Sequence, residues 1–138
     1  IEAKQAGCME AVMLNREGCI AECTGDNIFI VKDKTLYTPH PSMGLLKGIT
    51  RDTVMDLAAA QGISCIETAL TPLDLYRADE CFLTGSGAEL MPVVAADGRP
   101  IGNGAPGPVT AALSAAFRAY IGEIVDAAAG SEKLTAAG

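Results

Sequence analysis

Histidine is scarce in this chain, long apolar runs are missing, and no two cysteines are spaced as C-x-x-C. The single histidine, His40, has no evident metal partner. Cys19 and Cys23 stand four apart without a second ligand cluster, so no structural zinc site is expected. The cysteines Cys8, Cys19, Cys23, Cys65 and Cys81 are odd in number and scattered through apolar segments. Thiols so placed behave as small buried hydrophobes in a reducing cytoplasm. No uninterrupted apolar run approaches the ~20 residues that a membrane span requires. No signal peptide is visible, although a chain beginning at Ile1 leaves any targeting signal upstream unread. Basic residues are the minority: 10 Lys and Arg stand against 17 Asp and Glu, for a formal net charge of -7. That balance disfavours nonspecific nucleic-acid binding. It leaves room for a local nest of backbone N–H groups to bind phosphate against the global field.

What is present fits one globular domain. The chain has 138 residues, 49% hydrophobic and 20% charged, enough to bury a core and too apolar to be disordered. A strand is expected from Glu10 to Leu14, a turn over Asn15 to Gly18, and extended structure from Cys19 to Glu22. Ile28, Phe29, Ile30 and Val31 in succession predict a strand buried on both faces. Asp33-Lys34 then turns the chain into a second strand from Thr35 to Thr38, making a hairpin. Pro39 to Lys47 reads as a loop. A helix is expected from Ile49 or Thr50, with Val54, Leu57 and Ala58 inward and Gly62 as its stop. Ile63 to Leu70 predicts a strand, and Thr71-Pro72 the cap and first position of a short helix. Asp79 to Thr84 and Leu90 to Ala96 predict two more strands. A final helix should start at Pro108 with Val109, Leu113, Ala116, Phe117, Tyr120 and Ile124 on one face, and residues 128–138 should form a frayed tail. The order implies a mixed α/β (α+β) fold whose short strands could curl into a barrel-like sheet with flanking helices.

Three segments carry chemistry-bearing groups. Leu46-Lys47-Gly48-Ile49-Thr50-Arg51-Asp52 runs from a loop through a glycine into a helix, where free N–H groups and the macrodipole favour phosphate. The plainer reading of these residues alone is a tight turn at Gly48 with Thr50 as the cap, since loop-to-helix junctions are common. Thr84-Gly85-Ser86-Gly87-Ala88-Glu89 lets backbone approach a ligand closely, or is an ordinary turn between strands. Glu22 follows an apolar stretch and, if partly buried, needs a partner: a basic side chain or a protonated ring nitrogen. Together they could grip a phosphorylated, nitrogen-containing cofactor at both ends.

Read in order, Ala21-Glu22-Cys23-Thr24-Gly25-Asp26-Asn27-Ile28-Phe29-Ile30-Val31, Gly48-Ile49-Thr50-Arg51-Asp52, Ala78-Asp79-Glu80-Cys81-Phe82-Leu83-Thr84-Gly85, Gly98-Arg99-Pro100-Ile101-Gly102 and Gly107-Pro108-Val109-Thr110 resemble the class IV (fold-type IV) aminotransferases, and within them the branched-chain amino-acid subgroup. The resemblance runs from about Ile1 to Ile124, and it implies the large C-terminal, cofactor-binding domain, here residues 1–127. It implies pyridoxal 5'-phosphate as cofactor, with Glu22 beside the pyridine nitrogen, Leu46 against the ring, and the Ile49 and Thr50 N–H groups on the phosphate. Ser86, where a threonine is usual, becomes a second phosphate donor. Ser86, Gly87 and Ala88 present N–H groups to the substrate carboxylate, Gly87 standing where alanine is more common.

The lysine that bonds the cofactor would lie roughly a dozen residues before Ile1, so the chain carries no catalytic residue of its own and is expected to be inactive alone. The small N-terminal domain is likewise expected upstream. The resemblance implies a cytoplasmic homodimer, when full-length, that acts on an amino acid and a 2-oxo acid and engages neither nucleic acid nor membrane. The activity implied is transfer of the amino group of leucine, isoleucine or valine to 2-oxoglutarate. A D-amino-acid aminotransferase, an aminodeoxychorismate lyase, and a noncatalytic domain reusing the fold for binding or assembly stand as alternatives.

Overall fold

The computed structural model describes residues 12–23, 26–44, 48–84 and 90–137. Its strands are β1 (Val12–Leu14), β2 (Ile20–Cys23), β3 (Asn27–Lys32), β4 (Thr35–Pro39), β5 (Cys65–Thr68), β6 (Glu80–Thr84), β7 (Leu90–Pro92), β8 (Ala95–Ala96) and β9 (Arg99–Pro100). Its helices are α1 (Ile49–Ala60), α2 (Pro72–Tyr76) and α3 (Pro108–Ala137), and one 3-10 turn spans Pro41–Met43. A five-stranded sheet runs β5-β4-β3-β6-β7, with β1-β2 and β8-β9 as separate ribbons. Strand β3 is antiparallel to both neighbours, whereas β4 and β5 are parallel, because α1 carries the chain back between them. The fold is therefore mixed α/β with flanking helices. Among the described residues the ladder stops at β5 and β7, and residues of the ribbons, Ile20 and Cys23 of β2 and Ala96 of β8, pack with one face of the sheet.

The run of four β-formers in β3 is buried on both faces because two layers cover the sheet. Ile28 and Ile30, with Cys81 and Leu83 of β6, pack with Ile20 and Cys23 of β2, Leu70, Leu75 and Ile101. Phe29 and Val31, with Phe82, face Val54 and Ala58 of α1 and Leu113 and Phe117 of α3. Phe29 and Phe82 oppose each other in register and stack with centroids 5.1 Å apart. Burying each such ring contributes about 1.5–3 kcal/mol.

Local signals explain most element ends. Asp33 and Lys34 both take positive φ, 51° and 64°, as a two-residue hairpin turn demands. Asp79 holds that turn by accepting from Asp33 N–H at 2.9 Å. Thr71 caps α2 in a reciprocal capping box with Asp74, with Pro72 opening the helix. His40 is the cap of the 3-10 turn, its ring nitrogen accepting from Ser42 N–H at 3.1 Å. Asp97 accepts from the Tyr76 hydroxyl, which raises that phenol's pKa, and Arg99 lies 4.8 Å over the same ring. These contacts tie the β8-β9 ribbon to α2.

Two expected strands are shorter than the apolar pattern suggests. Ile63 to Leu70 narrows to Cys65–Thr68, because its partner β4 offers ladder positions only from Leu36 to Pro39. Leu90 to Ala96 divides into β7 and β8: β7 follows β6 as far as Pro92, and the chain then leaves to pair with β9. The expected face of α3 is buried at Leu113 and Phe117, whereas Tyr120 and Ile124 are exposed. Helical backbone continues to Ala137, past the point where fraying is expected, and residues 122–130 are all exposed. No helix among the described residues is long and apolar enough to cross a membrane.

Candidate functional site

One end of the central sheet gathers the segments singled out by sequence. Strand β3 begins there at Asn27, directly opposite Thr84, where β6 ends. Strands β4 and β5 also end there, Pro39 beside Thr68. Strand β2 ends at Cys23, which exchanges backbone hydrogen bonds of 2.9 and 3.0 Å with Asp26, the residue before β3. Glu22 stands one residue before Cys23, half-buried, opposite Met13 of β1.

Helix α1 starts against the same end. A Cβ added to Gly48 would lie 2.8 Å from Asn27 Oδ1, so glycine lets the chain pass the sheet closely. Gly48 is extended, with φ -83° and ψ 150°, and among the described residues no side chain caps the helix. Asp52 N–H donates to Gly48 O at 3.3 Å. The N–H groups of Ile49, Thr50 and Arg51 precede that bond and have no acceptor within the helix. The alternative role for Thr50 as cap is thereby removed: Thr50 sits inside the first turn. Ile49 is 87% exposed, whereas Arg51 is fully buried.

Arg51 anchors this helix start. Its side chain is fully buried, and Nη2 donates to Pro39 O at 3.1 Å and to the Glu67 carboxylate at 3.0 Å. The first turn of α1 is thus bolted to the ends of β4 and β5. Thr84 adds a further polar group: its hydroxyl is buried and has no hydrogen-bond partner among the described residues. Burying a hydroxyl unpaired costs about 1–3 kcal/mol.

Four predicted site residues, Leu46, Ser86, Gly87 and Ala88, lie outside the described residues. Of the described ones, Ile49 and Thr50 open α1 after Gly48, which lies beside Asn27 at the start of β3, and Glu22 lies on β2 next to the Cys23–Asp26 bridge that precedes that strand. Sequence reading missed Arg51 and Thr84 as site neighbours. Arg51 was findable: a basic residue three before Val54 and seven before Ala58 shares the inward face of α1.

A separate cavity of about 340 Å³ lies at the opposite end of β3 and β6, lined by Val31, Lys34, Asp79, Glu80, Gly102 and Pro108 among others. Along β6 it is roughly 13 Å from Thr84, from the rise per residue of a strand. It shares no residue with the predicted set. Its buried carboxylate, Glu80, accepts from Val109 and Thr110 N–H at 3.2 and 2.8 Å and so caps α3. That cavity floor is occupied with holding a helix in place.

The comparisons with known proteins agree with one another. The model of a family described as amino-transferase class IV matches residues 1–96. The branched-chain-amino-acid aminotransferase of Pseudomonas aeruginosa is 47% identical over 116 residues, which are 84% of this chain and 38% of that protein. The chain thus spans under half the length of this curated relative. The crystal structure of the Escherichia coli branched-chain amino acid aminotransferase superposes with a TM-score of 0.83 at 42% identity, covering 86% of this chain and 40% of that one. That of the branched-chain amino acid aminotransferase from Thermobaculum terrenum, solved in its PLP-form, does so with a TM-score of 0.81 at 41% identity, over 85% of this chain and 38% of that one.

Proposed function

The chain belongs to the class IV aminotransferases, and on that footing we propose that it forms the cofactor-gripping part of a branched-chain amino-acid transaminase. The observation that carries this reading is the uncapped start of α1, set against the sheet end that Glu22 approaches. The residues present fit pyridoxal 5'-phosphate: free N–H donors with a macrodipole behind them suit the phosphate, and a half-buried carboxylate suits a protonated ring nitrogen. Thr84, a buried hydroxyl without a partner among the described residues, is a further sign that this end is built for a polar ligand. The Thermobaculum terrenum relative, solved in its PLP-form, supports the same cofactor.

When bound, the pyridoxal ring serves as an electron sink for the substrate's Cα. The protein's work is to orient and to hold charge. Glu22 keeps a proton on the ring nitrogen. The Ile49 and Thr50 N–H groups fix the phosphate, and Arg51 and Glu67 hold those N–H groups in place. Leu46 packs on the ring, Ser86 adds a phosphate donor, and Ser86, Gly87 and Ala88 receive the substrate carboxylate; these assignments rest on the family resemblance. So does the cofactor-bonding lysine, assigned upstream of Ile1. The substrates are leucine, isoleucine or valine with 2-oxoglutarate as acceptor, and the whole protein is a cytoplasmic homodimer.

The test is turnover of L-leucine with 2-oxoglutarate by the full-length protein, with D-alanine as control. L-leucine turnover is expected, and Glu22→Gln should weaken cofactor binding about tenfold or more, as loss of a charge-assisted hydrogen bond implies. Turnover of D-alanine in place of L-leucine would overturn the substrate assignment.

A further inference from the structure

Strand β6 ends on a hydroxyl that none of the described residues satisfies. Thr84 is 1% exposed, and its Oγ1 has no hydrogen-bond partner among the described residues. Strand alternation puts Thr84 on the same face as Phe82, which packs against Val54 and Ala58 of α1. Asn27 stands directly opposite Thr84, and Asn27 Oδ1 is the atom that a Cβ on Gly48 would meet. The orphan hydroxyl and the free N–H groups of Ile49 and Thr50 therefore belong to the same end of the same face. If packing were the only demand at this position, valine would fill it without a polar atom to satisfy.

We propose that the Thr84 hydroxyl is a phosphate-binding donor that completes, from the sheet side, the cradle made by the Ile49 and Thr50 N–H groups. This rests on the reading of the α1 start as a phosphate site. A phosphoryl group offers several strong acceptor oxygens, which is what a cluster of donors without acceptors lacks. A threonine hydroxyl also rotates to suit its acceptor, so it can stay unpaired in the free protein and pair when the anion arrives.

The test uses pyridoxine 5'-phosphate and pyridoxine, which share a ring, differ in the phosphate and lack the aldehyde that lysines attack. Their affinities are measured by calorimetry on the full-length protein, with the melting temperature of each ligand-free variant. The parent protein should prefer the phosphorylated probe. Thr84→Val should weaken that probe about tenfold, as loss of a hydrogen bond to a charged group implies, and leave pyridoxine unchanged. Thr84→Ser should restore it. Ligand-free Thr84→Val should melt no lower than the parent, since it removes an unsatisfied hydroxyl. Undiminished affinity for the phosphorylated probe, equal loss for both probes, or a clearly lower melting temperature would each overturn the role of Thr84. A parent protein that does not discriminate between the probes would instead overturn the phosphate reading of the helix start, and this proposal with it.

Discussion

Arg51 and Glu67 form an ion pair at 3.0 Å, with the Arg51 side chain fully buried and that of Glu67 31% exposed. The pair joins the first turn of α1 to β5, the strand that the same helix delivers into the sheet. The Arg51 Nε is buried without a partner among the described residues, so these do not fully satisfy the guanidinium even with Pro39 O and Asp52 beside it. Arg51→Met should therefore cost about 2–3 kcal/mol, below the full penalty for breaking a buried pair because Glu67 can turn to water. Glu67→Gln should cost less. Urea denaturation of both single variants and the double variant checks this. Simple additivity would mean that the two side chains are not coupled.

Gly48 and Asn27 make the second testable contact. The Gly48 φ of -83° is open to any residue, so alanine there is limited by space and not by backbone. The Cβ would press on Asn27 Oδ1, and Gly48→Ala should cost about 1 kcal/mol. Shortening Asn27 to alanine in the same chain should recover part of that loss. A double variant as unstable as the two losses summed would count against the contact.

Glu80 caps α3 from inside the protein. Glu80→Ala should destabilise by about 1–2 kcal/mol, since it strips an anionic acceptor from the Val109 and Thr110 N–H groups. Gly107 is glycine because a Cβ there would overlap the Glu80 carboxylate. Gly107→Ala should therefore loosen the same helix start, and amide exchange at Val109 and Thr110 should quicken in both variants. Unchanged exchange would show that the cap does not hold the helix.

The thiols predict an alkaline limit. Burial pushes the Cys65 thiol from its ordinary 9.0 up to about 11, with Arg51 opposing and Glu67 adding to the rise. Burial also pushes the Cys81 thiol up. A thiol whose folded pKa is raised binds its proton more tightly in the folded state, so its contribution is intact below pH 9 and is lost as pH climbs towards 11. Stability measured by urea should fall across that window, and Cys65→Ala should fall less steeply. Parallel curves for parent and variant would contradict the shift.

Local chemistry made much of the fold legible. Thr71-Pro72 announced the start of α2, Asp33-Lys34 the hairpin, and Ile28 to Val31 a strand covered on both sides. Glu22, Ile49 and Thr50 were singled out by the family resemblance, since an acid after an apolar strand and a glycine before a helix also have ordinary structural uses. The ends of β5 and β7 were not legible, since an apolar run does not state how far its ladder partner extends. The burial of Arg51 was missed because charge argues for the surface until a carboxylate and a carbonyl, sixteen and twelve residues away in sequence, are seen to meet it.

The sequence by itself determined the turns, the helix starts and the inward faces, because those depend on residues within a turn or two of each other. Only the tertiary structure decided that Asn27, Gly48 and Thr84 share one end of a sheet, that Arg51 and Glu80 are buried yet bonded, and that the Thr84 hydroxyl has no partner among the described residues. Such facts depend on contacts between residues far apart in the chain, which the register of β3 with β6 and the crossover through α1 bring together.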